Sequence, residues 1–258
     1  MSAAERAVAD VRAQVSAEEW ATRVDLAACY RLVAHFGWDD LVFTHISARV
    51  PGTHDFLINP YGLMFEEVAA SNLVRVDLSG NKTLPSPYEI NPAGYTIHSA
   101  IHQVREDAGC VLHLHTMAGI AVSAQKDGLL PISQQATLIL LSLSYHDYEG
   151  IALNPEEKGR LQAHLGAARH MILRNHGLLT VGRIVSDAFM MMFSLQRACE
   201  IQIMAQAAGG NSQLIEIPES VLATVPEYMK QVTRGAGTGL VWPALLRKMD
   251  RIDPSYRE

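Results

Sequence analysis

The sequence predicts an α/β fold in which helices cover a sheet of short strands. Segments with helical periodicity alternate with short apolar segments, and turns containing glycine or proline separate them. The chain has 258 residues, of which 48% are hydrophobic and 19% charged, as is typical of a globular protein with a sizeable core. We expect a single domain over residues 1–258, with a loose leader at 1–15 and a C-terminal extension at 211–258 that contacts other subunits.

The first half of the chain predicts two helices with short strands between them. Ser16 and Glu19 have the spacing of a capping box, and the helix that they begin should end near Gly37. The second helix is predicted over residues 92–104, after a hairpin signal at Ser-Gly-Asn 79–81. Three short strands are expected between the helices, at residues 43–49, 55–58 and 73–78.

The second half predicts buried strands followed by a long helix. Strands are expected at residues 110–115, 170–173 and 178–181, and helices at 154–169 and 186–208. Ser186 is the predicted N-cap of the long helix, and Gly209-Gly210 is its predicted stop. We assign its methionine run at 190–192 to the core or to a subunit interface.

Composition excludes several classes of protein. The formal net charge is −6, and no cluster of Lys and Arg indicates binding to nucleic acid or to a membrane surface. No apolar run is long enough for a membrane span, and the amino end lacks the apolar region of a signal peptide. The cysteines Cys29, Cys110 and Cys199 are widely spaced, so we expect buried thiols in a reducing cytoplasm.

Two histidines in one strand give the main indication of function. His113 and His115 are two residues apart in an apolar strand, so their imidazoles share one face. His176 follows a later strand, in a turn at the edge of the sheet. Three imidazoles can hold one divalent cation and leave coordination positions open, which is typical of a catalytic site. The alternative is a pair of core histidines satisfied by ordinary hydrogen bonds.

The chain resembles the class II aldolase/adducin family from about Trp20 to Gly210, and its adducin-like branch most closely. The resemblance is carried by residues 44–49, 58–62, 91–94, 98–101, 113–115, 174–182 and 242–248. It implies a three-layer α/β/α fold with a central mixed, mostly antiparallel sheet and helices on both faces. It also implies a homotetramer with sites near subunit boundaries.

The resemblance further implies that His113, His115 and His176 bind a divalent metal. Zinc is the expected ion, with iron or manganese as alternatives, and it would stabilise an enediolate beside a carbonyl. The glutamate that acts as acid/base in the family's aldolases corresponds to Gly94 here. The family's phosphate pocket has also changed, to Thr44-His45 and Pro92-Ala93. A phosphate ester is therefore not the expected substrate.

Other residues are candidates for the missing roles. His98 lies one helical turn after Gly94 and is the predicted proton carrier, with packing as the alternative. We predict that His45, Asn59 and Tyr145 bind substrate. For His45 the alternative is a hydrogen-bonded strand end, and for the polar cluster at 145–149 it is an exposed loop.

We expect a metal-dependent, aldolase-like lyase that acts on a small hydroxy- or ketoacid. One alternative is a non-haem iron oxygenase that decarboxylates aromatic ketoacids, because three histidines with open positions also suit ferrous iron. The other alternative is an adducin-like module without catalytic activity.

Overall fold

Seven strands form one sheet at the centre of the computed structural model, which describes residues 11–151, 154, 156–232 and 237–258. In chain order they are β1 (His45–Arg49), β2 (Phe56–Ile58), β3 (Val74–Val76), β4 (Cys110–Leu114), β5 (Leu143–His146), β6 (His170–Leu173) and β7 (Gly177–Gly182). Their order across the sheet is β3-β2-β1-β4-β7-β6-β5. Only β5 and β6 pair in parallel among these strands, so the sheet is mixed and mostly antiparallel, as predicted.

Helices flank this sheet along the described chain. They are α1 (Ala17–His35), α2 (Pro92–Val104), α3 (Met117–Ser123), α4 (Gln134–Leu140), α5 (Glu157–Leu165), α6 (Val185–Gln206), α7 (Glu219–Leu222), α8 (Val225–Val232) and α9 (Trp242–Ile252). No helix of the described residues is both long and apolar enough to cross a bilayer.

The two faces of the sheet bury separate apolar clusters, which gives the three layers. Leu112 and Leu178 pack in one cluster with residues of α1 and α6. Val111 and Leu179 pack in the other cluster with residues of α2 and α5. Because successive strand residues point to opposite faces, His113 lies on the α2 side of β4 together with Val111. The predicted α/β/α class is confirmed.

Most predicted elements are present, and α2 and β6 have the predicted bounds. The start of the long helix differs from the prediction. It begins at Val185, and Ile184 precedes it in an extended conformation without a side-chain cap, so Ser186 lies inside the first turn. The chain has little room for a capping loop there, because a Cβ on Gly182 would lie 2.3 Å from the backbone nitrogen of Ala188.

At the start of α1, only half of the predicted capping box forms. The Ser16 hydroxyl accepts a hydrogen bond from the Glu19 backbone N–H at 3.1 Å. The Glu19 carboxylate does not reach back to Ser16. It pairs instead with the buried Arg23 at 2.9 Å and with Arg75 at 2.8 Å. The capping carboxylate is thus used for tertiary structure, because two guanidinium groups offer it stronger partners than a backbone amide.

The structure describes a short part of the predicted leader and most of the predicted C-terminal extension. Residues 11–14 of the predicted leader are helical, and the rest of it up to residue 10 lies outside the described residues. Trp242 of α9 donates a hydrogen bond to Asp25 of α1 at 3.0 Å, and Arg31 of α1 pairs with Asp253 at 2.9 Å. The described part of the extension therefore covers α1 of its own chain, and its contacts with other subunits stay a prediction.

Buried sulfur atoms fill the same core. Cys29, Cys110 and Cys199 are free and buried, as expected for structural thiols. In the methionine run, Met192 is fully buried and Met190 packs partly buried against the core.

The buried Arg23 generates a stability prediction. Its guanidinium donates to the carbonyl oxygens of Ala70 and Leu73 at 3.1 and 3.0 Å besides pairing with Glu19. Arg23→Met leaves these acceptors without their donor, so we expect the free energy of unfolding to fall by about 3 kcal/mol in urea denaturation. Arg160→Met is the matched control, because Arg160 forms an exposed pair with Glu149 and its loss should change stability little. Equal effects of the two substitutions would contradict the assignment.

Candidate metal centre

Three histidines from two parts of the chain converge at one end of the sheet. Ligand atoms of His113, His115 and His176 all lie within 4.8 Å of one another. The rings of His113 and His176 are 4.8 Å apart between centroids, as are those of His115 and His176. The sequence-predicted ligand set therefore comes together as a cluster that could hold one metal ion.

Strand geometry and a tight turn bring these side chains together. His113 lies in β4 opposite Leu179 of β7, and His115 follows β4 two residues later. His176 lies in the turn between β6 and β7, after Asn175, whose φ of 55° is tolerated by asparagine better than by most residues. At Gly177 a Cβ would lie 2.4 Å from the carbonyl oxygen of Leu114, so only glycine lets the turn lie against the end of β4.

Hydrogen bonds fix which ring nitrogen of each strand histidine faces the cluster. His113 Nδ1 donates to the carbonyl oxygen of Leu178 at 3.0 Å, and His115 Nδ1 donates to the Asp40 carboxylate at 3.0 Å. In the neutral imidazoles both Nε2 atoms are then unprotonated, and they lie 3.1 Å apart. Two lone pairs at that distance repel each other unless a cation lies between them. The donor set therefore fits a divalent metal, with Leu178 and Asp40 as the orienting partners typical of metal-bound histidines.

The environment keeps the imidazoles of His113 and His176 neutral, as metal ligands must be. Burial, together with the neighbouring imidazoles, holds the pKa of His113 well below its ordinary value. Burial and the nearby His115 lower the pKa of His176 to about 4.

A cavity of about 450 Å³ opens beside the three histidines. This volume is in the range of small-molecule sites. Its walls include Asp40, Phe43, His45, Tyr61, Asn91 and Tyr148. The cluster is thus open on one side, unlike a closed structural metal site.

The other predicted residues differ in their relation to this cavity. His45 lines it, and its ring is 5.2 Å from that of His113. His98 is fully buried behind His45, with its Nε2 2.9 Å from His45 Nδ1, and does not line the cavity. Its role as proton carrier stays a prediction.

Asn59 and Tyr145 also lie away from the cavity walls. The Asn59 side-chain oxygen accepts a hydrogen bond from the Tyr30 hydroxyl at 2.9 Å within the core. The Tyr145 hydroxyl accepts one from the Leu129 backbone at 3.0 Å, and the Arg174 guanidinium lies 4.3 Å from the centre of its ring. Within this chain both side chains have structural partners, and substrate binding by them stays a prediction.

Asp40 and Tyr148 are among the residues of the site that sequence reasoning missed. Asp40 lies in the loop after α1, and only the fold brings it to His115. Tyr148 lines the cavity and its ring is 6.3 Å from that of His176, whereas Tyr145 was the tyrosine of that cluster chosen from the sequence. Because Tyr145 and its neighbours form β5, alternation points Tyr145 into the core, and Tyr148 follows after the strand has ended.

His45 occupies the space beside Gly94. A Cβ on Gly94 would lie 2.6 Å from a carbon of the His45 ring. Any larger residue at position 94 would therefore displace His45. The glycine on α2 thus gives the β1 histidine the room that its ring occupies.

Comparisons with known proteins identify relatives along the whole chain. The family model described as the class II aldolase and adducin N-terminal domain matches residues 24–203. A Pseudomonas aeruginosa protein, provisionally named an aldolase class 2 protein, is 65% identical over 261 residues, which cover 100% of both chains. Alpha-adducin of Rattus norvegicus is 45% identical over 220 residues, which are 84% of this chain and 29% of adducin.

Solved structures that resemble this chain also include a protein of the aldolase II superfamily and a protein described as an aldolase. An aldolase II superfamily protein from Pseudomonas syringae is 52% identical and superposes with a TM-score of 0.91 over 96% of this chain and 99% of that one. L-fuculose 1-phosphate aldolase from Glaciozyma antarctica PI12 is 27% identical, with a TM-score of 0.81 over 94% of each chain.

Asp40 provides a test of the metal centre. Asp40→Asn keeps all three imidazoles but removes the charge that orients His115, so we expect zinc affinity to fall about 10- to 100-fold. Competition with a chromophoric chelator measures the change. Asp39→Asn, one residue away and outside the cavity walls, is the control and should retain the affinity of the unmodified protein. If both variants bind zinc equally well, Asp40 does not support a metal ligand.

Buried histidines away from the centre predict how stability depends on pH. Burial lowers the pKa of His102 to about 3 and that of His170 to about 4, from 6.5. Between pH 6.5 and 4 the unfolded chain therefore binds protons that the folded protein excludes, and stability falls as pH falls. Each such group contributes up to about 1.4 kcal/mol per pH unit within this window.

Urea unfolding of metal-free protein between pH 7 and pH 5 measures this slope. His170→Gln should reduce it by up to about 1.4 kcal/mol per pH unit, because one titrating group is removed. The exposed His54 is the control site, and His54→Gln should leave the slope unchanged. An unchanged slope in His170→Gln would contradict the prediction.

Proposed function

Because the chain belongs to the class II aldolase and adducin family, we propose that it is a metal-dependent lyase that cleaves or forms a bond beside a carbonyl group. The observation that carries the proposal is the convergence of His113, His115 and His176 next to an open cavity. A divalent cation bound there would act as a Lewis acid on a carbonyl oxygen. The fold neighbour named L-fuculose 1-phosphate aldolase supports the same reaction class.

The protein's own residues supply binding and orientation. The three histidines would hold the cation, and Leu178 and Asp40 keep two of them in the required tautomer. His45 and Tyr148 offer polar groups on the cavity wall, where a bound molecule would be oriented. Phe43 and Ile97 on the same wall would exclude water from its carbon skeleton.

The cavity favours a small hydroxy- or ketoacid over a phosphate ester. Neither lysine nor arginine is among its described lining residues, so it lacks the cations that usually bind phosphate. The start of α2, at Asn91 and Ala93, forms part of the wall, and the N-terminus of a helix stabilises an anion such as a carboxylate.

We further propose zinc as the cation and a homotetramer as the assembly, with iron or manganese as alternative ions. Both follow the family resemblance. The three buried free thiols support a reducing compartment such as the cytoplasm.

The second candidate is an adducin-like module without catalytic activity. The 45% identity with rat alpha-adducin over most of this chain favours it. The two candidates differ in whether the metal centre is loaded and active.

Metal analysis combined with an activity screen tests the proposal. Protein purified without chelators should contain about one divalent ion per chain, and it should release an aldehyde from one of a panel of hydroxyacids and hydroxyketones. His113→Ala should lose the ion and at least about 10³-fold in activity, because a bound cation contributes several kcal/mol to such reactions. His54→Ala, on the exposed surface, is the control.

Three outcomes would each contradict a part of this proposal. Full metal content in His113→Ala would overturn the ligand assignment. Oxygen consumption with iron and aryl ketoacids, without aldehyde release from the panel, would favour the oxygenase. A loaded centre that acts on no member of either panel would favour the module without catalytic activity.

A further inference from the structure

A continuous series of hydrogen bonds leads from the core to the cavity through His102, Ser47, His98 and His45. We refer to these four residues as the histidine–serine chain. Its links are short. Ser47 Oγ is 2.7 Å from His102 Nε2 and 2.5 Å from His98 Nδ1, and His98 Nε2 is 2.9 Å from His45 Nδ1. At the inner end, His102 Nδ1 is 3.1 Å from the carbonyl oxygen of Ala108.

The inner end fixes which group donates and which accepts in every hydrogen bond of the histidine–serine chain. A carbonyl oxygen only accepts, so His102 Nδ1 must carry a hydrogen and donate to Ala108. His102 is buried and its pKa is lowered to about 3 by burial, with the Arg49 guanidinium as a further cause. The imidazole is therefore neutral, and its Nε2 is an acceptor.

Ser47 extends the same donor–acceptor order to His98, because its hydroxyl has only one hydrogen. It donates that hydrogen to His102 Nε2, so it can only accept at His98. His98 Nδ1 must then carry a hydrogen, since two lone pairs would otherwise meet at 2.5 Å. Burial keeps the pKa of His98 well below its ordinary value, which leaves its Nε2 unprotonated.

The last link reaches the cavity wall. His98 Nε2 accepts from His45 Nδ1–H, so the second nitrogen of His45, Nε2, carries a lone pair. His45 lines the cavity together with His113, His115 and His176. The ring has room there only because residue 94 is glycine.

We propose that Ser47, His98 and His102 are positioning residues that hold His45 as the tautomer whose unprotonated Nε2 faces the cavity, where it accepts a hydrogen bond from a hydroxyl group of the substrate. This inference rests on the proposed function for the identity of the bound molecule. It deepens that function by naming a substrate feature, a hydroxyl group that would lie against His45 in the cavity. His98 then acts through His45 and does not itself reach the substrate.

Measuring the tautomer of each histidine tests the histidine–serine chain in the absence of metal and substrate. Metal-free protein with histidine labelled in the heavy nitrogen isotope is studied by long-range nitrogen–proton correlation spectra at neutral pH. The unmodified protein should have His45, His98 and His102 each as the Nδ1–H tautomer. A His45 that carries its hydrogen on Nε2 would overturn the inference. This measurement uses only the unmodified protein.

Ser47→Ala tests the transmission. Without the hydroxyl, His98 and His45 lose their fixed direction, so Nε2–H signals should appear for His45. Ser47→Thr keeps a hydroxyl and should restore the single tautomer. Ser99→Ala is the matched control, because Ser99 is also buried on the adjoining helix but its hydroxyl donates to the Thr96 carbonyl, outside the chain. Unchanged His45 signals in Ser47→Ala would contradict the proposal that Ser47 selects the tautomer of His45 through His98.

A binding measurement then separates this inference from the proposed function. Calorimetry with zinc-loaded protein and glycolate, a small hydroxyacid, should give about ten-fold weaker binding in Ser47→Ala than in Ser99→Ala, at unchanged zinc affinity. Equal glycolate affinity in the two variants would overturn the hydroxyl contact. Absence of glycolate binding in the unmodified protein, with the tautomers as predicted, would count against the proposed substrate class but not against the positioning of His45.

Discussion

The antiparallel pairing of β4 between β1 and β7 is the constraint on which the site depends. This register puts His45 opposite His113, and His113 opposite Leu179. A shift by one residue would turn His113 into the cluster that α1 and α6 cover, and would turn its apolar neighbours toward α2. The apolar residues of β4 therefore fix the register, and the register in turn fixes the metal ligands.

Burial and hydrogen bonding act together on the imidazoles. An imidazole that is removed from water resists protonation, and it is stable only if its N–H has an acceptor. His113 and His102 donate to backbone carbonyls, and His115 donates to Asp40. Each partner both offsets the cost of burial and selects the tautomer. The same contacts that stabilise the fold thus determine which nitrogen is available for a cation or a ligand.

Two glycines allow the close approach that this arrangement needs. Gly177 lets the turn that carries His176 lie against the end of β4, and Gly94 lets α2 lie against the ring of His45. A Cβ at position 94 would lie 2.6 Å from the His45 ring, so the glycine creates the space that this histidine from the neighbouring strand fills.

The sequence by itself determined the α/β class, the bounds of α2 and β6, and the shared face of His113 and His115. These features are local, because strand alternation and helical periodicity tell which face a side chain takes. Tertiary structure alone decided that Asp40 orients His115, that Glu19 pairs with Arg23 and Arg75, and that Tyr148 lines the cavity while Asn59 and Tyr145 bind core partners. Each of these depends on which distant segments meet. That is set by strand register and by helix packing over the sheet, and neither leaves a pattern in the neighbouring sequence.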